Sequence, residues 1–192
     1  MVSKEKRVFF IYTILITVLV ITGFTILYFF ESKEYYYLAA RFYTVIEYST
    51  LAYFFSLYIK KKLIKNLLLF SIVPYIVFCF YSYIKQKVPE LPFIPVSIEH
   101  VLLLIFILYY FFETIQNLTT EPVYQKAIFW VSVAFIINSA GNFFLFLYSR
   151  ISFNDEAFKD QYTIIYTTVT LLKNILLCIS IPIKESPRKS IL

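Results

Sequence analysis

The stretch "TVIEYSTLAYFF" (44–55) sets one acid, Glu47, inside an apolar and aromatic run. Five more polar residues are placed in the same way: Arg41, Glu99, Asn138, Asn142 and Lys173 each interrupt a long apolar block. An ionisable group near a bilayer centre costs about 2.5–3.5 kcal/mol on insertion scales, so it faces a protein interior or a cavity and finds a partner there. A carboxylate and an ammonium at that depth can pair as counter-ions, hold a proton or ion, or line a pocket for a polar ligand. Enzymatic chemistry has less to build on. The chain has no G-x-G-x-x-G, P-loop, H-E-x-x-H or G-x-S-x-G pattern. One histidine, His100, and two separated cysteines, Cys79 and Cys178, do not make an ordinary zinc site. No cofactor is implied.

These residues are positioned by blocks that composition identifies as membrane-spanning. The chain is 60% hydrophobic and only 16% charged, with a mean hydropathy of +0.73, whereas soluble domains carry about 25% charged residues. Blocks of about 20 apolar residues match a hydrocarbon core about 30 Å thick. Six are read, at 8–30, 36–59, 64–84, 96–116, 127–149 and 161–183. Each is expected to be helical, because lipid leaves the backbone no partner but itself. The expected fold is therefore an all-α integral membrane six-helix bundle forming one transmembrane domain over residues 1–192. Pro74 is expected to kink the third helix. The first block, 23 residues long, exceeds a signal-peptide core and is read as a retained helix. Val2 and the C-terminal "KSIL" match no lipidation motif.

The net charge of +6 does not form a nucleic-acid face, since the basic residues lie in short segments between the blocks. Lys4, Lys6, Arg7, Lys60, Lys61, Lys62, Lys65, Lys126, Lys184, Arg188 and Lys189 fall on one side, against Lys33, Lys85, Lys87, Arg150 and Lys159 on the other. By the positive-inside rule both termini are expected in the cytoplasm. The sequon Asn117–Thr119 then lies inside and is read as accidental. Cys79 and Cys178 fall in opposite leaflets, so no disulfide is expected.

With this topology, helices two, four and six run in the same direction, and their depths can be compared at about 1.5 Å per residue. Glu47 and Lys173 fall near mid-span, with Asn138. Arg41 and Glu99 lie roughly 10 Å nearer the exterior, and Asn142 one turn beyond Asn138. Glu47 shares a stripe with Tyr43 and Thr50, and Lys173 with Tyr166 and Thr170. Gly141, between the asparagines, permits close helix approach. Lys173 is the first candidate partner of Glu47. Glu113, near the inner end of helix four, is expected to snorkel to the interface. A weak echo between "IEYSTLAYFFSLYI" and "IEHVLLLIFILYYF" puts Glu47 and Glu99 in register. Two readings stay open: a structural polar network, or a pocket for a ligand or ion formed by Arg41, Glu47, Glu99, Asn138, Asn142 and Lys173.

The segments "IEYSTLAYFFSLYIKKK", "IEHVLLLIFILYYFFE", "IFWVSVAFIINSAGNFFLFLYS" and "LLKNILL" resemble small multi-pass membrane proteins common in Bacteroidota. The resemblance covers nearly the whole chain and marks Glu47, Glu99, Phe129, Trp130, Gly141, Phe146 and Lys173. Members of that family are often encoded near sensor histidine kinases or response regulators. This implies a signalling association and carries no reaction. The leading expectation is a sensor or accessory subunit that binds a small ligand or a partner's helix. Its partners would be the bilayer, a sensor kinase or regulator, or a second copy of itself. A small transporter or channel using Glu47 and Lys173 is the alternative, and an intramembrane enzyme is a third.

Overall fold

The computed structural model describes residues 4–29, 33–85, 91–117, 122–152 and 155–183. They form six α-helices: α1 (Lys4–Phe29), α2 (Lys33–Ser56), α3 (Lys62–Lys85), α4 (Phe93–Gln116), α5 (Ala127–Ser152) and α6 (Glu156–Ser180). Lys87, Lys184, Arg188 and Lys189, together with Leu118 and Thr119 of the sequon, lie outside the described residues. The fold is all-α. Four helices (α3, α4, α6 and α5 through Ser149) are long and apolar enough to cross a bilayer, and they mark a membrane protein. In α1 the apolar stretch is shorter, Arg7–Gly23, while α2 is interrupted by Arg41 and Glu47.

Local chemistry accounts for the helix ends. Asp155 caps α6, its side chain accepting the Ala157 amide at 3.0 Å. The helix stops at Ser180, two residues before Pro182, which has no amide N–H to extend the hydrogen-bond ladder. Pro92 and Pro95 sit at the cap and first turn of α4, where a missing amide costs nothing. Pro74 is accommodated inside α3, which continues through it. A 3-10 turn, Val123–Gln125, leads into α5, and its Tyr124 carbonyl accepts the indole N–H of Trp130 at 2.8 Å.

Side-chain pairs establish the packing directions. Along α1 and α2, Phe9 meets Phe54, and Tyr12 meets Glu47. On α2 and α3, Arg41 meets Ser82, and Tyr48 meets Ser71. Between α4 and α5, His100 meets Phe146, and Phe111 meets Phe129. Finally, Phe146 meets Tyr162, and Tyr148 meets Phe158, across α5 and α6. In every case rising numbers on one helix meet falling numbers on the next, so these neighbours are antiparallel. α2 and α4 also touch, through Phe55 and Tyr110. Among the described residues, the backbone of α1 approaches only α2, and that of α6 only α5.

The two ends of the bundle are filled differently. Where α2 and α4 end and α5 begins, the core is dry and tightly interlocked, with Leu51, Phe55, Ile107, Ile128, Val131 and Phe135 all at or below 2% exposure. The opposite end, where α2, α4 and α6 begin, contains a cavity. α3 and α6 turn apolar side chains outward, among them Val73, Val77, Phe80, Ile164, Leu171 and Ile175. That distribution suits helices solvated by lipid tails.

Candidate functional site

Glu47 sits where the dry core ends. It is 5% exposed, and its Oε1 accepts the Tyr12 hydroxyl of α1 at 2.8 Å. The Lys173 ammonium of α6 stands 3.9 Å from the same oxygen and 5.8 Å above the Phe135 ring centre. At 3.9 Å this is an ion pair and not a hydrogen bond. The carboxylate therefore joins three helices, with a neutral donor from one and a cation from another. This polar node is the tie between α6 and the α1–α2 side of the molecule.

Above the node lies a second polar layer whose groups are incompletely satisfied. Asn142 donates its amide to Asn138 Oδ1 at 3.1 Å, one turn away on α5. The Asn142 carbonyl oxygen, one carboxylate oxygen of Glu99, and both ring nitrogens of His100 are buried without a hydrogen-bond partner among the described residues. Glu99 is 1% exposed. Leaving a buried polar atom unpaired costs about 1–3 kcal/mol, and more for a charge. Native proteins keep few of these, and each calls for a water, an ion or a ligand.

The residues that carry these groups line a cavity of about 520 Å³, within the range of small-molecule sites. Glu47, Glu99, His100, Asn138, Asn142 and Lys173 form its polar lining. Towards the helix ends its walls become aromatic, with Tyr36, Tyr37 and Tyr43 on α2, Phe146 on α5, and Tyr162 and Tyr166 on α6. Tyr162 and Tyr166 stack at 5.9 Å with planes 8° apart, and Phe146 meets both edge-on. The close approach of α5 and α6 below is set by Gly141: an added Cβ would fall 2.7 Å from Val169 Cγ2.

Of the six residues singled out in the sequence, five line the cavity and Arg41 does not. Arg41 points to α3, donating to Ser82 Oγ at 3.0 Å and the Cys79 carbonyl at 3.4 Å, with its guanidinium 5.2 Å above the Tyr83 ring. Azimuth explains this: six residues at about 100° each turn Arg41 roughly 120° away from Glu47. Instead it shares a stripe with Tyr48, seven residues on, which also faces α3. Glu113 does not snorkel. It is 9% exposed, and its two oxygens accept the Lys60 and Lys61 amides at 2.8 and 2.9 Å, clamping the α2–α3 turn to α4. Both cysteines are free, with Cys79 buried and Cys178 exposed. Sequence reasoning passed over two members of the site, Tyr12 and His100. His100 had a signal, since it directly follows Glu99; Tyr12, one of 18 tyrosines, had none. No family model, curated protein or solved structure matches this chain.

Proposed function

We propose that the chain crosses a bacterial inner membrane six times with both termini in the cytoplasm, and that its cavity binds a small water-borne molecule. In this reading it is a sensor or accessory subunit of a signalling system. The observation that carries the binding role is a 520 Å³ cavity lined by Glu99, His100 and Asn142, residues that each hold a buried, unpartnered polar atom. A purely structural network would be filled by its neighbours, as protein interiors are.

Six crossings are supported by length and by burial. At about 1.5 Å per residue α1 and α2 are roughly 39 and 36 Å long, enough for a core of about 30 Å. The charges that lower the hydropathy of α2, Arg41 and Glu47, are each 5% exposed and so are shielded from lipid. The Lys and Arg bias supports a periplasmic position for the aromatic mouth. Signalling would proceed by a population shift between two packings of α1 and α6, each of which has one backbone neighbour and holds one partner of Glu47.

Four measurements test this. Reporter fusions at Lys62 and Glu156 read inside and outside respectively, and the reverse result removes the topology. In a background with Cys79 and Cys178 replaced by Ser, a cysteine at Asn142 reacts with a polar thiol reagent added outside spheroplasts. An exposed control at Glu156 also reacts, and a buried control at Ser132 does not. Protection at 142 equal to that at Ser132 in a folded variant refutes the binding role. Affinity isolation from native membranes retrieves a sensor kinase or regulator, and reconstituted liposomes show no gradient-driven flux. Flux would replace the sensor with the transporter.

A further inference from the structure

The acidic and basic groups around the cavity are unequal in number. Two carboxyl groups, Glu47 and Glu99, share its lining with one ammonium, Lys173. Lys173 is engaged with Glu47, which also accepts from Tyr12. Glu99 is left almost wholly buried with an oxygen that no donor reaches among the described residues. The remaining wall is rich in π faces, with Tyr43, Phe146, Tyr162 and Tyr166 each contributing a ring. An aromatic face attracts a cation by about 0.5–2 kcal/mol, and recognition of ammonium groups by ring cages rests on this attraction. An anionic ligand would meet two carboxyl groups and one ammonium that is already engaged with Glu47.

We infer that the cavity is a site for a small organic cation, a primary or methylated ammonium whose charge seats at the unpaired Glu99 oxygen among the tyrosine and phenylalanine rings. The Asn142 carbonyl oxygen, also unpartnered, supplies a second acceptor for an N–H donor. The volume accommodates an organic body as well as the charged group. The inference rests on the cavity being open to ligand, as proposed above, and adds the chemistry of the ligand. An ammonium can reach the site from two sources, as a free amine or as the headgroup of phosphatidylethanolamine.

The test uses four probes of four carbons each that differ in charge: butylammonium, butanol, butyrate and 4-aminobutyrate. Each is titrated into the purified full chain in nanodiscs of phosphatidylglycerol, with binding read by calorimetry and thermal shift. Butylammonium is expected to bind about ten-fold or more tightly than butanol and butyrate, the scale of one charge-assisted hydrogen bond. Glu99→Gln is expected to reduce it to the level of butanol. Should that variant fold poorly, Tyr166→Leu at the exposed mouth serves instead, weakening butylammonium several-fold through loss of one ring. Adding phosphatidylethanolamine to the nanodiscs separates the sources: competition with butylammonium identifies a headgroup site, and its absence a free amine. Tighter binding of butyrate or 4-aminobutyrate, or equal binding of all four, overturns the inference. Absence of binding by every probe overturns it too. If Asn142→Cys still labels in that case, an accessible cavity stands without the cation assignment; if it does not label, both fall.

Discussion

Replacing Gly141 with alanine puts a methyl group where α5 and α6 are closest. Its Cβ would lie 2.7 Å from Val169 Cγ2 and 3.1 Å from Cγ1, the first 0.7 Å short of the 3.4 Å at which ordinary contact begins. Valine in a helix has one strongly preferred rotamer, so neither methyl can swing clear. The helices must separate instead. Overpacking of this kind costs about 1–3 kcal/mol, and the better helix propensity of alanine returns up to about 1 kcal/mol. The net expectation is a loss of roughly 1–2 kcal/mol. Val169→Ala alone removes contacts at the same seam and costs roughly 1 kcal/mol. The double variant removes the clash with both methyls, and its stability should return close to that of the parent. This opposite-signed coupling, of order 2–3 kcal/mol, lies within the range for contacting residues. Reversible unfolding in mixed micelles, following helical circular dichroism in all four proteins, measures it. Additive losses, or a Gly141→Ala protein as stable as the parent, would show that the helices do not meet at Gly141.

Two other perturbations probe the polar contacts. Glu47→Gln and Lys173→Met should each destabilise by about 3 kcal/mol, because either leaves a charge buried without its counter-ion, while the double variant should lose less than the two together; additive losses in the same unfolding assay would show that the pair is uncoupled. Glu113→Ala should release the Lys60 and Lys61 amides, costing about 1–2 kcal/mol and speeding tryptic cleavage after those lysines; an unchanged cleavage rate would place the hold on that turn elsewhere.

Depth was easier to read from the residues than direction. Counting along straight helices brings Glu47, Asn138 and Lys173 to one level, because rise per residue is nearly constant. Azimuth follows from the same helix geometry, and applied to Arg41 it separates that residue from Glu47. Contacts between remote segments were not legible in this way. Nothing local distinguishes Tyr12 within "FFIYTILITV" from tyrosines that only pack, since its role depends on which face α2 presents to α1. Glu113 reads as an interfacial acid until the α2–α3 turn folds over it, and its partners are backbone amides about fifty residues earlier, invisible to any residue-type pattern.

The Glu113 clamp makes the molecule stiff at one end and compliant at the other. Around it, the rings of Phe54, Phe55, Tyr58, Tyr110 and Phe111 interlock α2 with α4, so the turn, the core and the helix ends move as one block. At the cavity end the rings of His100, Phe146, Tyr162 and Tyr166 tie α6 to α5 and α4, while among the described residues the backbone of α1 approaches only α2 and that of α6 only α5. α1 and the α5–α6 pair would then move against α2 like the arms of tweezers, anchored at the end where α2 meets α3. A small rotation at the polar node grows with distance along each arm, so the aromatic tips would travel furthest. Amide exchange should follow the same gradient, slowest at Lys60 and Lys61 and faster towards Tyr36 and Tyr162.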